Sequence, residues 1–285
     1  MPEIDVTAGT VDVSAGTIEY EDTGGEKPTI VLLHGLLNDS SIWRNVVPHL
    51  RDDYRCVLPT TPLGSHRRPM KPDADLTIRA HVRLVAEFLE RLDLEDVTLV
   101  GNDWGGAQLL VSEGLDDRLA RLVLTSCEAF DNYPPGLPGK MAALSGRMPG
   151  GINVAVQSLR LRPLRRLPLT LGWMSKRAPD DVIDAWLRPA QTNRAIRRDL
   201  AKYCRTRFTG GELQEWAERQ RRFERPVLVA WATEDRVMPP EHGHRLAALF
   251  PDARLVEIPD SYTFIPEDNP AALTTAIRDF MAATA

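Results

Sequence analysis

Gly101-Asn102-Asp103-Trp104-Gly105-Gly106 sets one aspartate among glycines, between an apolar run (DVTLVGN, 96–102) and a stretch of helical pattern (WGGAQLLVSEGL, 104–115). Glycines beside a reactive side chain let the backbone take a strained turn while neighbouring segments pack closely. Such a turn would lift the Asp103 carboxylate above a sheet, near the positive end of the following helix. Glycines alone fit an ordinary strand-to-helix turn equally well; the flanking strand and helix favour a nucleophile. The same hexapeptide lacks the GxGxxG spacing of a dinucleotide loop. The histidines and carboxylates show no metal-ligand spacing, so no cofactor is expected. Cys56, Cys127 and Cys204 lie far apart with no CxxC pair, which fits reduced thiols in a cytoplasm. Cys127 reads as a small buried hydrophobe.

The elements that must position Asp103 alternate between strand and helix patterns. TIEYEDTG (17–24) alternates like a strand, and TIVLLHG (29–35) reads as a strand buried on both faces. A helix is expected near 41–50, a strand at YRCVLPT (54–60), and a helix over 76–92, where Leu76, Ile78, Val82, Val85, Phe88, Leu89 and Leu92 recur at helical spacing. LARLVLTSC (119–127), RPVLVAWATED (225–235) and ARLVEIPD (253–260) read as strands, with helices at 240–250 and 270–282. Alternation of this kind predicts an α/β fold with a mostly parallel, doubly wound sheet. Residues 131–223 break the rhythm with Pro, Arg and Trp and no convincing strand. They predict a helical cap insertion above the sheet's C-terminal edge, where open α/β sheets place ligands. Residues 1–130 and 224–285 would form the core domain.

With 43% hydrophobic and 26% charged residues, the 285-residue chain can build a substantial core. Its net charge of -5 argues against nucleic acid or an anionic membrane as partner. The basic stretch RLRPLRR (160–166) reads as a solvated face. The N-terminal MPEIDVTAG has neither the basic region nor the apolar run of a secretory signal, and no apolar run approaches the ~18 residues of a membrane span. A small-molecule substrate and a cytoplasmic location are expected; the oligomeric state is not legible.

These motifs resemble the α/β-hydrolase superfamily, and GNDWGG resembles its haloalkane dehalogenase and epoxide hydrolase branches, over roughly Ile18 to Met281. The resemblance implies an α/β-hydrolase fold and a carboxylate, Asp103, that attacks an sp³ carbon to give an ester. An aspartate needs no base for that step, being ionised at pH 7. It also implies an anion hole from the backbone N–H groups of Leu36, after His34-Gly35, and of Trp104. His34 itself is expected to hold its loop by hydrogen bonds. The supporting acid is implied at Asp235 (ATEDRVMP) or at Glu128 (SCEAF), and both stay open. The Trp104 indole suits a leaving halide. Leu36 stands where a second donor, Asn, often sits, with Trp173 or Trp186 as substitutes. Tyr133 and Tyr203 are the candidates for protonating an opening epoxide.

One departure matters most. After the last strand relatives place histidine, but here the turn reads Pro259-Asp260-Ser261-Tyr262-Thr263-Phe264, with Thr263 at the expected position. A hydroxyl cannot act as a general base unaided, and such assistance is worth roughly 10²–10⁴ in rate. Among the remaining histidines, His242 and His244 read as surface residues. His66, in PLGSHRRP, is the better substitute base, although a solvated loop histidine is the plainer reading. Asp235 or Glu128 acting on water directly is a further route. Two functions follow: a hydrolase of a small apolar haloalkane, epoxide or ester, or a non-hydrolytic lyase, isomerase or ligand-binding protein that keeps the pocket.

Overall fold

In the computed structural model, which describes residues 6–284, the strands are β1 (Thr7–Val13), β2 (Gly16–Asp22), β3 (Thr29–Leu33), β4 (Arg55–Thr60), β5 (Val97–Asp103), β6 (Leu119–Cys127), β7 (Val227–Ala232) and β8 (Ala253–Ile258). Residues 1–5, part of the stretch read above as lacking a leader, and Ala285 lie outside the described residues. The helices are α1 (Ile78–Arg91), α2 (Leu109–Glu113), α3 (Gly136–Arg147), α4 (Gly151–Ser158), α5 (Arg162–Arg165), α6 (Asp180–Thr192), α7 (Arg194–Cys204), α8 (Gly210–Gln220), α9 (Pro240–Leu249), α10 (Ile265–Asp268) and α11 (Pro270–Ala283).

The strands form one sheet in the order β1-β2-β4-β3-β5-β6-β7-β8. β2 pairs antiparallel with β1 and β4, and every pairing from β4 to β8 is parallel. All seven residues of β5 and all six of β7 are buried, because helices cover both faces of the parallel part. Each fully buried Val or Leu there contributes about 1.5–3 kcal/mol over leaving it exposed. α1 turns Ile78, Val82, Val85, Phe88 and Leu89 inward, and Thr77 caps its first turn by accepting from the Ala80 N–H.

Three expectations need correction. The helix expected at 41–50 is two single 3₁₀ turns, Ser40–Trp43 and Val47–His49; Pro48, which has no N–H to donate, sits inside the second. The helix expected over 104–115 is confined to α2. Gly106, at φ +69°, lies in the left-handed region that a helix cannot pass through, and Gly114, at φ +74°, ends it. RLRPLRR is not a fully solvated face: Arg165 is buried and paired with Asp184, and Arg166 meets Asp180 at 3.0 Å. The first strand, β1, carries an exposed polar pattern and was not expected as a strand.

Between β6 and β7 the chain forms helices α3–α8 and one 3₁₀ turn, with no strand among the described residues. α3, α4, α6 and α7 pack on one another. Ile152, Val156, Ala190, Ile196, Leu200 and Cys204 give this segment a small apolar cluster of its own. Among the described residues no helix is long and apolar enough to cross a membrane.

Candidate active site

Asp103 ends β5 with φ +53°, a left-handed conformation that costs a non-glycine residue energy. Its side chain lies directly over Gly35, where a Cβ would come within 2.2 Å of Asp103 Oδ2. Only a glycine at position 35 admits the carboxylate here. The Leu36 N–H donates to Oδ2 at 2.9 Å. Burial raises the Asp103 carboxyl to about 7; the N–H groups of Leu36 and Trp104 favour its charged form, and the negative charge of Asp235 opposes it. The sequence implied a carboxylate ionised at pH 7 without help; burial instead works against the charged form.

Three loops at the carboxyl ends of parallel strands gather at this end of the sheet. After β3 comes Gly35-Leu36, held by His34: its Nδ1–H donates to the Gly35 carbonyl at 2.8 Å and its Nε2 accepts from the Thr61 N–H at 2.9 Å. Burial pushes His34 down to about 4, so the ring is neutral and structural. After β7 comes Asp235, whose Oδ1 accepts from the N–H groups of Val237 and Met238, each at 2.8 Å. After β8 comes Thr263, whose hydroxyl donates to the same Oδ1 at 2.9 Å. Asn102, beside the aspartate, ties this turn to the sheet by donating to the Thr263 carbonyl at 2.8 Å and the Thr125 carbonyl at 2.9 Å. That bond was not foreseen, and nothing local in the sequence signals it. Burial raises Asp235 to about 6, despite the donors that favour its charge, and its Oδ2 is buried without a partner.

Above Asp103 lies a cavity of about 420 Å³. Its walls are mainly apolar: Met141 and Leu144 from α3, Ile152 from α4, Leu171 and Met174 from the chain between α5 and α6, and Leu36 after β3. Trp104 lines it too, and its indole Nε1–H is buried with no acceptor. The rings of Tyr133 and Tyr203 each lie 5.7 Å from the Trp104 ring, and the Tyr203 hydroxyl donates to the Trp104 carbonyl at 3.2 Å. Neither tyrosine lines the cavity; both rings pack against the indole.

Other sequence candidates lie apart. Glu128 is buried with both carboxylate oxygens unpartnered, and burial raises it far above the usual range. It faces a separate crevice with Tyr133, Phe208 and Trp216. Trp173 stands outside the cavity, 6.0 Å from the Arg236 guanidinium, and the Trp186 indole donates to the Ser41 hydroxyl at 2.8 Å. His66 is not solvated. It is buried, and its Nε2 lies 3.3 Å from Asp199 Oδ2 of α7, which also accepts from the Met70 N–H. His242 packs on Phe130 and His244 stands beside Glu257.

Residues 28–270 match the family model described as alpha/beta hydrolase fold. Haloalkane dehalogenase 2 of Mycobacterium tuberculosis (strain ATCC 25618 / H37Rv) is 30% identical over 93% of this chain and 92% of its own length. The cis-3-alkyl-4-alkyloxetan-2-one decarboxylase of Xanthomonas campestris pv. campestris is 25% identical over 98% of this chain and 97% of its own. Among solved structures, an ancestral haloalkane dehalogenase superposes with a TM-score of 0.77 at 22% identity, covering 97% of this chain and 99% of its own. With its mostly parallel eight-stranded sheet and the family-model match over most of its length, the chain belongs to the alpha/beta hydrolase fold family.

Proposed function

We propose that this chain is a hydrolase of small, mainly apolar electrophiles, and that Asp103 opens the reaction by attacking an sp³ carbon. The observation that carries the reading is the place of Asp103: a buried carboxylate, held through Oδ2, on the floor of an apolar cavity of about 420 Å³. With a haloalkane, Asp103 Oδ1 forms the new C–O bond while the carbon–halogen bond breaks, and the halide leaves with its electron pair. The unpartnered Trp104 Nε1–H supports this step as a donor to the halide, or to the oxygen of an opening epoxide. The similarity to a haloalkane dehalogenase supports the substrate class.

Hydrolysis of the ester then adds water to Cγ of Asp103. Asp235 accepts the water's proton and Thr263 holds Asp235 in place. The ester C–O bond breaks, so R–X and water give R–OH, a proton and halide. A carboxylate replaces imidazole as the base here, which makes this second step the slow one. Incubation with a panel of haloalkanes and epoxides, reading intact mass with released halide or diol, tests the reading. Product beyond one equivalent, absent in Asp103→Asn, supports it; neither adduct nor product rejects it.

A second reading rests on one observation: Thr263 donates its hydroxyl to Asp235, and among the described residues no histidine lines the cavity. Such a site suits a reaction that consumes no water. The relative named as an oxetanone decarboxylase supplies an example, since a β-lactone splits into an alkene and carbon dioxide with its atoms balanced. Alkene formed from a dialkyl oxetanone, with no hydroxy acid, would favour this reading.

A further inference from the structure

The net charge of -5 conceals a strong segregation. Residues 131–223 carry 18 Lys or Arg against eight Asp or Glu, whereas the rest of the chain carries 17 against 32. No Asp or Glu occurs between 132 and 179. Among the described residues, every large apolar side chain that is exposed also lies in this segment, between Leu137 and Leu169. Val154 is 68% exposed and Leu161 62%. Monomeric proteins rarely leave such a patch uncovered without a use for it.

The two features meet at the cavity. Leu144, Met148, Val154 and Leu169 are exposed and also line the cavity over Asp103, so they form its apolar rim. Met148 and Ile152 are shared with a neighbouring groove of about 910 Å³ lined from α3, α4 and α7. Arg194, Arg197, Lys202 and Arg205 line that groove, and no carboxylate does. Among the described residues none of these four has a carboxylate within 4.0 Å; Arg197, Lys202 and Arg205 donate only to backbone carbonyls. Cations held by carbonyls rather than carboxylates keep their charge available to a partner.

We infer that this face of α3, α4 and α7 docks on an anionic lipid bilayer, the apolar rim entering the headgroup boundary and the α7 cations meeting lipid phosphates. An exposed apolar rim flanked by unpaired cations is the pattern of an interfacial surface. The acidic remainder of the chain would be repelled by the same bilayer, which orients the molecule with its cavity mouth against the lipid. A nucleic acid or an acidic protein would use the cations but leave Val154 and Met148 in water. Docking does not depend on the reaction assigned to Asp103. It does place the mouth where apolar substrates concentrate.

Vesicle co-sedimentation of the full chain tests this. Binding to vesicles containing phosphatidylglycerol is expected at low salt, with little binding to pure phosphatidylcholine and a marked loss toward 1 M salt, where the Debye length is about 3 Å. Arg194→Gln and Lys202→Gln should each weaken partition about fivefold, and Val154→Ser with Met148→Ser by about tenfold or more. Arg254→Gln, on edge strand β8, should change nothing. Absent binding at low salt overturns the inference. So does binding that ignores the four cap substitutions, or binding to a short DNA duplex that equals vesicle binding and survives the apolar changes. A dimer that dissociates on Val154→Ser, in a protein that binds no vesicle, would assign the patch to a second copy instead.

Discussion

The Thr263 hydroxyl donates to Oδ1 of Asp235 at 2.9 Å, in a turn fixed to the sheet by Asn102. The acid thus has its orienting partner, but that partner cannot take a proton from water. Placing an imidazole there would join Asp235 to the Asp103 ester. Thr263→His is expected to speed ester hydrolysis by about 10²–10⁴-fold. The check is single-turnover decay of the covalent adduct by intact mass, beside steady halide release. An adduct that forms but decays no faster in the variant would remove Asp235 from its supporting role.

Two buried carboxyls without an imidazole between them also set a pH dependence. Burial holds Asp103 at about 7, so adduct formation should fall tenfold per unit below that, to about 100-fold below its plateau at pH 5. Stability runs the opposite way. The folded chain binds this proton more tightly than the unfolded chain, so the stability contribution is full below the ordinary value of 3.8. It is lost as pH rises through about 7. Asp103→Asn, which never ionises, should gain on the native chain by on the order of 2–4 kcal/mol between pH 4 and 8. Paired thermal melts across that range check the sign.

Gly35 shows how closely Asp103 is seated. A methyl at this position would lie 2.2 Å from Asp103 Oδ2 and 2.4 Å from its Cβ. Gly35→Ala must move the carboxylate or the loop and break the Leu36 hydrogen bond. Adduct formation should fall at least 100-fold, with a stability loss of about 1–3 kcal/mol. Adduct kinetics together with denaturant melts separate the two effects.

Much of this was legible because local pattern and global fold agree. β3, β5 and β7 are mostly apolar because both faces are covered, and Asp103 stands where a glycine-flanked turn leaves such a strand. What was not legible depends on distant chain. His66 reads as a loop residue until Asp199, on α7, is brought 3.3 Å from it. That Asp235 and not Glu128 meets Thr263 is likewise hidden in the sequence, since both follow strands of similar pattern. Tyr203 offers a hydroxyl in sequence, but in the fold that hydroxyl is spent on the Trp104 carbonyl. α2 was overestimated because a left-handed glycine, not the apolar spacing, sets its start.

Trp104 carries a sharper consequence for the leaving group. Its Nε1–H is buried without an acceptor, and neither Trp173 nor Trp186 lines the cavity to supply a second indole donor. Trp104→Phe keeps an aromatic ring between Tyr133 and Tyr203 but removes the donor. The carbon–halogen step should slow by about 10²–10³-fold, the usual cost of one preorganised donor. Adduct formation rates on matched chloro- and bromoalkanes check this, and an unchanged rate would mean the halide leaves toward another group.

Asp199 joins the helical segment to the core. It is buried on α7, where burial alone would raise its carboxyl. Hydrogen bonds with His66, Arg198 and the Met70 N–H outweigh that and hold it below its ordinary value. Asp199→Ala would leave the Met70 N–H and the His66 ring without their acceptor, at a cost of about 3–5 kcal/mol. Asp199→Asn keeps an acceptor for Met70 and should cost less. Because α7 also supplies Leu200 and Cys204 to the cavity wall, the alanine variant should loosen the cavity as well as lower the melting temperature. Hydrogen exchange localised to α6 and α7, beside unchanged protection in β5 and β6, is the expected signature.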